Sequence, residues 1–548
     1  MTPSAHLDSF ARDNLPPRAQ WPDFLFGLPE LKYPDRINCA VELLDRRIEA
    51  GDGDRPCLIS PSEHLSYARL AERVNRIANV LTRDLGLLPG HRVLLRGPNS
   101  AMMVAAYLAA IKAGGVVVAT MPLLRAKEIA YPITKAKIRL ALCDHRLAEE
   151  MEKALPLAGE LERVVYWGGG APDALEALMA RPGYEHFTAC DTASDDVCLI
   201  AFTSGTTGEP KGTMHFHRDM LATCDSYGRH VLRAQATDRF MGSPPLAFTF
   251  GLGGLVLFPL HVGAATILLE RAGPDDLLAA AAQFGATVCF TAPTAYRAML
   301  AKLGEHDISS LRKCVSAGET LPQATFDAWH AATGIKILDG IGATEMLHIF
   351  IGSPEDEIRP GATGRPVPGY EARVVDAEGN EVAPNTLGRL AVRGPTGCRY
   401  LADLRQTNYV RDGWNMTGDT FVRANGHFSF VARSDDMIVS SGYNIAGPEV
   451  EAALLSHPAV AECGVVGAPD EARGMIVKAY VVAAPGVDPD EALVTALQDH
   501  VKQAIAPYKY PRAVEFVAQL PKTGTGKLQR FALRRMAQTG TAPGIAAE

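Results

Sequence analysis

Asp195-Asp196-Val197-Cys198-Leu199-Ile200-Ala201-Phe202-Thr203-Ser204-Gly205-Thr206-Thr207-Gly208-Glu209-Pro210-Lys211-Gly212 is the stretch around which the chain is organised. Its apolar first half predicts a strand. That strand empties into Thr, Ser and Gly, the composition of a loop that holds an anion. Glycine lets the backbone approach phosphate oxygens, and successive N–H groups and hydroxyls supply donors. Lys211 adds a positive charge. An ordinary Gly/Ser/Thr turn is the bland alternative, and the density of hydroxyls and glycines before a Pro-Lys-Gly exit argues against it. The P-loop pattern requires Gly, four residues, then Gly-Lys-Ser/Thr. Here four residues after Gly205 comes Pro210, so a phosphate-binding loop is expected in another fold.

The chain has 548 residues, too many for one compact core, and predicts two to four domains or subdomains. With 47% hydrophobic and 21% charged residues it has an ordinary globular composition. A net charge of −8 without a basic stripe argues against a nucleic-acid partner. Ten cysteines scatter from Cys39 to Cys463 with no Cys-x-x-Cys pair, so neither a zinc knuckle nor a redox motif is read, and a reducing compartment is expected. Met1–Asp13 shows no basic region followed by an apolar run. The most lipid-like stretch, Ala101–Met121, carries Lys112 and the break Gly114-Gly115. It reads as a buried helix followed by the core strand Val116-Val117-Val118, with no membrane partner. A soluble cytoplasmic protein is the expectation, and symmetry base rates make a homodimer the default.

Upstream of the loop, residues 1 to 35 are rich in Pro and aromatics and are expected to wrap the main body. Leu70, Val74, Ile77 and Leu81 recur at helical spacing and predict an amphipathic helix over 66–85. A strand at 92–95, a helix at 100–113, a strand at 115–120, a helix at 129–138 with Pro132 near its start, and a strand at 140–144 follow. Downstream, 255–260, 265–269 and 287–291 read as strands, with a helix at 275–284. This alternation implies layered α/β subdomains with mainly parallel sheets. Short β-like runs between turns at 365–432 predict a β-rich subdomain, read as a distorted barrel. Beyond Arg433 about a hundred residues mix strand and helix again, a common domain size. The expected domains are 1–433 and a small α+β domain over 434–548, with the last nine residues frayed.

Five further stretches carry candidate chemistry. They are Ser316-Ala317-Gly318-Glu319; Asp339-Gly340-Ile341-Gly342-Ala343-Thr344-Glu345; Trp414-Asn415-Met416-Thr417-Gly418-Asp419; Arg433-Ser434-Asp435-Asp436 running into Ser440-Ser441-Gly442-Tyr443-Asn444; and Pro521-Lys522-Thr523-Gly524-Thr525-Gly526-Lys527. Each alone has a plainer reading: Thr-Glu as a helix N-terminus, Thr-Gly-Asp as a turn, a Gly-flanked Lys as a solvated loop. Together, in this order, they resemble the adenylate-forming superfamily of acyl-CoA synthetases, adenylation domains and luciferases over roughly residues 60 to 532.

The resemblance implies a role for each stretch. Thr203, Ser204, Gly205, Thr206, Thr207, Gly208 and Lys211 match the loop that handles the β- and γ-phosphates of ATP. Ser316, Ala317, Gly318 and Glu319, with Asp339, Gly340 and Ile341, match the frame of the adenine. Thr344 matches the α-phosphate contact and Glu345 the Mg²⁺ ligand. Asp419 matches the carboxylate on the ribose hydroxyls, and Arg433 a second ribose contact. Asp435 matches the hinge about which a mobile C-terminal domain rotates. Lys527 matches the catalytic lysine of the first half-reaction, and Gly442 the glycine lining the tunnel for CoA. The chain departs from the family at Ala432, where glycine is usual.

Within the superfamily, Asp339–Phe350 and Pro366-Val367-Pro368-Gly369-Tyr370 resemble the benzoate–CoA ligase group and its 2-aminobenzoate relatives. The implied substrate is a small aromatic carboxylic acid, bound by Ala247, Phe248, Thr249, Phe250, Gly251, Gly342 and His348. The benzoate enzymes carry Phe-Ala-Tyr where this chain has Phe248-Thr249-Phe250, and Thr249 or His348 is expected to tolerate a polar ortho substituent. Phe248 and Phe250 also read as plain core aromatics. A medium-chain acyl-CoA synthetase and a carrier-protein loader are the neighbouring alternatives. His215 and His217, just past the phosphate loop, read as surface or helix-capping residues, with an edge of the acyl pocket as the other reading.

Overall fold

The computed structural model describes residues 3–203, 209–433, 436–440, 443–470, 474–522 and 527–539. Two large, mainly parallel sheets carry the body. In one, the strands Arg163–Trp167, Leu140–Asp144, Arg92–Arg96, Val116–Thr120 and Val197–Phe202 lie side by side in that order, all parallel, and Gly212–Phe216 closes the edge antiparallel. In the other, six parallel strands run Ile337–Gly342, Lys313–Ala317, Val288–Thr291, Arg239–Gly242, Ala265–Ile267, Pro56–Ile59. Antiparallel strands flank them on both sides.

The helices Tyr67–Asn79 and Ala101–Lys112 belong to the same apolar core as residues of both sheets. Ser66 and Ser100 cap them through side-chain bonds to the N–H groups of Arg69 and Met103. Eleven of the twelve residues of Ala101–Lys112 are buried. A helix apolar all round is a core helix here, and no described helix is long and apolar enough to cross a membrane. Lys112 is buried without strain because its ammonium reaches Asp45 at 2.7 Å and Asn75 at 2.8 Å. All ten cysteines are unpaired, and nine of them are buried.

Two local readings are corrected. Residues 255–260 are helical, not a strand: a helical run continues from Thr249 through Val262 and stops where Gly263 turns left-handed at φ +75°. An apolar run this short has no period that separates a buried helix from a buried strand. The helix at Pro132 begins at Ala126, so the proline is interior; the bond from Arg125 N–H to Glu128 Oε2 sets the earlier start.

The region 365–432 is a five-stranded antiparallel sheet among the described residues: Glu371–Val375, Leu387–Arg393, Trp414–Ala424 and Val410–Arg411 in order, with His427–Arg433 on the free side of Trp414–Ala424. The N-terminal residues wrap the body as expected. Asp8 pairs with Arg92 at 2.6 Å, and the Trp21 ring packs 5.8 Å from Phe216. Beyond residue 436, the strands Val460–Asp470, Gly474–Ala483 and Ala513–Phe516 form a three-stranded sheet. With the helices Gly447–Leu455 and Glu491–Ala504 they enclose a core of their own, including Ile438, Val450, Leu454, Val477, Val481, Leu497 and Val501. The result is a large layered α/β body and a small α+β domain.

Candidate active site

Ligands bind outside the carboxyl ends of parallel strands in open α/β sheets. Two adjacent strands, Lys313–Ala317 and Ile337–Gly342, bring two of the expected stretches together there. Ser316 pairs in register with Asp339, and Ala317 with Gly340. Ser316 Oγ and Asp339 Oδ1 are buried and find no hydrogen-bond partner among the described residues. Buried acceptors left open in this way are costly unless a ligand supplies the donor. Burial pushes the Asp339 carboxyl up to about 8, against the weaker pull of the Gly340 N–H.

That shift has a sign that can be measured. The unfolded carboxyl titrates near 3.8 and the folded one near 8, so between these values the folded state holds a proton that the unfolded state has lost. Stability contributed at this site therefore falls as pH rises through the window. Asp339→Asn removes the titration. Its thermal midpoint, measured without nucleotide, should decline less than wild type between about pH 5 and about pH 8. Parallel decline of the two proteins would show that Asp339 does not titrate there.

Lys527 comes to this same place from the small domain. A Cβ built on Gly318, which sits at φ +92°, would lie 3.1 Å from Lys527 Cε and 3.4 Å from Nζ. The lysine tip thus runs across bare backbone, a close approach that glycine permits. Crowding by protein lowers the Lys527 pKa, with Glu319 opposing and Arg433 reinforcing, although the side chain keeps contact with solvent in the cleft. Burial raises the Glu319 carboxyl while Lys527 and Lys522 draw it down.

Asp419 and Arg433 face each other across paired strands, and Arg433 Nη1 lies 3.1 Å from Asp419 Oδ1. Burial raises the Asp419 carboxyl, and Arg433 and Thr417 partly offset it. Ala432, the departure from the family pattern, is buried opposite Thr420, next to a shift of register between Thr420 and Phe421.

Thr344–Met346 form a single 3-10 turn after the Ile337–Gly342 strand. Leu347, which follows, is held at φ +69°, a conformation that a branched L-residue adopts at a cost. Glu345 is buried there. Tyr400 donates its hydroxyl to Glu345 Oε1 at 2.5 Å, and Lys211 Nζ lies 3.7 Å from the same oxygen. Lys211 also stands over the rings of Tyr400 and Tyr409, 4.8 and 5.7 Å from their centroids. The neck of the glycine-rich loop is closed by Thr203 N–H to Lys211 O at 3.0 Å and Lys211 N–H to Thr203 Oγ1 at 3.1 Å. Ser204, Gly205, Thr206, Thr207 and Gly208 lie outside the described residues, as do Asp435 and Gly442.

The expected acyl pocket closes around His348. Its ring lies 4.6 Å from Phe258, 5.3 Å from Tyr227, 5.7 Å from Phe250 and 6.4 Å from Phe290. Neither ring nitrogen has a hydrogen-bond partner among the described residues. Burial pushes its pKa down to about 3, against a weaker pull from the Phe250 backbone, so the imidazole is neutral. Gly253 makes room for it: a Cβ there would lie 2.3 Å from His348 Cδ2. Gly342 packs its α-carbon on the His348 backbone, and Gly251 on the Pro245 carbonyl. Ala247, Phe248 and Thr249 are half-buried at the entry to the Thr249–Leu252 helix.

Comparison with known proteins agrees with this arrangement. The family described as AMP-binding enzyme matches residues 44–400, and the C-terminal domain of AMP-binding enzymes matches residues 449–527, ending on Lys527. The chain belongs to the AMP-binding enzyme family. Among AMP-binding enzymes it is 40% identical to a benzoate–CoA ligase of Thauera aromatica over 516 residues, 92% of this chain and 97% of the relative. An anthranilate CoA ligase solved with anthranoyl-AMP superposes with a TM-score of 0.90 at 35% identity, covering 94% of this chain and all of the other. A benzoate CoA ligase of Burkholderia xenovorans LB400 superposes with a TM-score of 0.82 at 33% identity, covering 91% of this chain and 100% of the other.

The AMP-binding motifs did not announce every residue at the site. Tyr400, Tyr409, Tyr227, Phe258 and Phe290 lie in stretches with no distinctive pattern, and only folding brings them to Glu345 and His348. His215 and His217 are corrected: both are fully buried, neither at the surface. His215 Nε2 lies 2.8 Å from the Thr344 carbonyl, and His217 Nδ1 lies 3.3 Å from Cys39 Sγ. The spacing His-x-His on a strand edge gave no sign of this, because the partners are remote in sequence.

Proposed function

We propose that this chain is an ATP-dependent aromatic acid:CoA ligase of the benzoate or 2-aminobenzoate type. The observation that carries the reading is the aromatic cage around a neutral His348, whose ring nitrogens have no hydrogen-bond partner among the described residues, beside the Thr344–Glu345 turn. Stacked apolar walls suit a flat ring, and one open polar group suits a ring substituent that can hydrogen-bond without charge. The similarity to benzoate and anthranilate ligases along nearly the whole chain supports it.

In the first half-reaction a carboxylate oxygen bonds to the α-phosphorus of ATP and the bond to the β-phosphate oxygen breaks, releasing pyrophosphate. The acid and the triphosphate repel each other, so positive charge must be in place where they meet. Lys527, reaching in from the small domain past Gly318, supplies it, and Lys211 and the glycine-rich loop hold the leaving phosphates. Ser316 to Glu319 and Asp339 to Ile341 frame the base, Asp419 and Arg433 hold the ribose, and Thr344 holds the α-phosphate.

The residues present fit Mg²⁺. Glu345 offers a hard, buried carboxylate beside the phosphate-binding residues, and Mg²⁺ is commonly bound by one or two carboxylates plus substrate phosphates. Bound there by Glu345, it would neutralise phosphate charge.

In the second half-reaction the CoA sulfur bonds to the acyl carbon, the thiol proton leaves, and the bond to AMP oxygen breaks. Asp435 is the hinge of the 434–548 domain, whose rotation withdraws Lys527 and presents Gly442 to CoA. The approach of Lys527 to Gly318 supports a reading of this arrangement as the one for the first step.

The test is AMP release that depends on CoA, measured over a panel of acids. Benzoate or 2-aminobenzoate should exceed octanoate in kcat/KM by about 10²-fold, since an apolar slot discriminates by roughly 1–3 kcal/mol per mismatched group. Faster turnover of the saturated acid would sink the aromatic assignment.

A further inference from the structure

Beneath the Thr344–Glu345 turn lies a buried charged cluster to which the proposed chemistry assigns nothing. His215 ends on the Gly212–Phe216 strand, and Asp219 sits one turn on in the His217–Thr223 helix. The side chains of His215, Asp219 and Arg399 are all fully buried. Arg399 Nη2 pairs with Asp219 Oδ2, and the guanidinium stacks 3.9 Å from the Phe216 ring centroid. Asp219 Oδ2 also accepts the Phe216 N–H at 3.0 Å. Burial alone would raise the Asp219 carboxyl, but Arg399 and His215 hold it below its usual range.

His215 Nδ1 stands 3.6 Å from Asp219 Oδ2, while Nε2 lies 2.8 Å from the Thr344 carbonyl. A carbonyl can only accept, so Nε2 carries the proton and donates. The ring packs beside a carboxylate that is itself held by a guanidinium, and delivers one hydrogen bond to the backbone of Thr344.

The neighbouring residue reaches the same turn from elsewhere. The segment around 398–401 runs along the strand edge, with Met214 N–H to Arg399 O and Leu401 N–H to Gly212 O, both at 2.8 Å. Successive side chains of an extended segment point to opposite sides. Arg399 therefore serves the Asp219–His215 side, and Tyr400 reaches Glu345 directly at 2.5 Å. A turn forced into a left-handed conformation at Leu347 is held at both of its working residues. Buried ion pairs seldom add net stability over apolar packing, and His215 Nδ1, Asp219 Oδ1 and Arg399 Nη1 each lack a hydrogen-bond partner among the described residues. What the cluster secures is position.

We propose that His215, buried beside the Asp219–Arg399 pair and bonded to the Thr344 carbonyl, is a positioning residue that sets the Thr344–Glu345 turn for acyl-adenylate formation. This rests on the adenylate-forming reading of the site, and any acid that supports activity in the wild-type protein serves as probe.

The experiment uses the full chain and compares His215→Leu, His215→Gln and His215→Asn. It measures acid-dependent ATP–pyrophosphate exchange, thioester formation from supplied benzoyl-adenylate, and Tm. H215L should lose about 10- to 100-fold in exchange kcat, because misplacement of working groups by about 1 Å costs that order. KM for the acid and the thioester step should each change less than about threefold. H215Q, whose amide N–H can reach the Thr344 carbonyl, should recover most of the exchange rate, and the shorter H215N should not.

Equal loss in both half-reactions with a lowered Tm would make the role merely structural and overturn the proposal. So would undiminished exchange in H215L. If H215L does not fold, the remaining pair decides: equal exchange in H215Q and H215N overturns it. Wild-type protein without exchange on any acid would instead count against the proposed function.

Discussion

Lys527→Ala should lower acid-dependent adenylation by about 10²–10³-fold, the usual loss for one preorganised charge at a reacting centre. Thioester formation from a supplied benzoyl-adenylate should stay within a few-fold of wild type. The asymmetry follows from where the lysine sits. Its tip lies across Gly318, beside the residues proposed to frame the nucleotide, and it belongs to the small domain. In the proposed role it acts on charge that develops while the acid and the triphosphate meet, and that charge is gone once the adenylate exists. Arginine should not substitute well: a planar fork is wider than an ammonium, and the path over Gly318 is narrow. Pyrophosphate exchange and single-turnover thioester assays on the same preparation measure the two halves. Loss of both, or survival of both, would remove Lys527 from the role given to it.

Glu345→Gln should be the next largest effect, a loss of roughly 10²-fold in adenylation with the fold intact. The substitution keeps shape and leaves an oxygen to accept the Tyr400 hydroxyl, whose bond to Glu345 is 2.5 Å long. It removes the negative charge that faces Lys211 at 3.7 Å and that would hold a cation. The variant should need a higher Mg²⁺ concentration for half-maximal exchange, and its thioester step should change little. An unchanged Mg²⁺ dependence together with near-wild-type exchange would show that the carboxylate is structural. The two variants differ in a useful way: Lys527→Ala should leave the Mg²⁺ requirement alone.

Much of the architecture is legible in the sequence. The alternation of strand and helix from Arg92 to Thr291, the β-rich texture of 365–432 and the separate C-terminal segment all appear as expected. Local signals carried these: period, breakers and caps are properties of a few neighbouring residues. The error at 255–260 has the same origin. Leu255-Val256-Leu257-Phe258-Pro259-Leu260 is apolar on every side, so no period distinguishes helix from strand, and only its continuity with Thr249–Leu252 decides.

The sequence by itself determined which chemical groups the site would contain. Thr344, Glu345, Asp419, Arg433 and Lys527 each stand in a short motif whose residue types already suit phosphate, a cation, a ribose and a growing negative charge. Tertiary structure alone decided how those groups are held. The bond from His215 to Thr344 spans 129 positions, that from Arg399 to Asp219 spans 180, and the cage around His348 draws on Tyr227, Phe250, Phe258 and Phe290 from separate elements. The physical reason is one of range. Motifs and periodicity record interactions within a turn or two of chain, whereas desolvation, tautomer and pKa depend on whatever folding packs against a group. A glycine-rich loop could therefore be read as a phosphate site from its letters, but a neutral histidine in an aromatic cage could not.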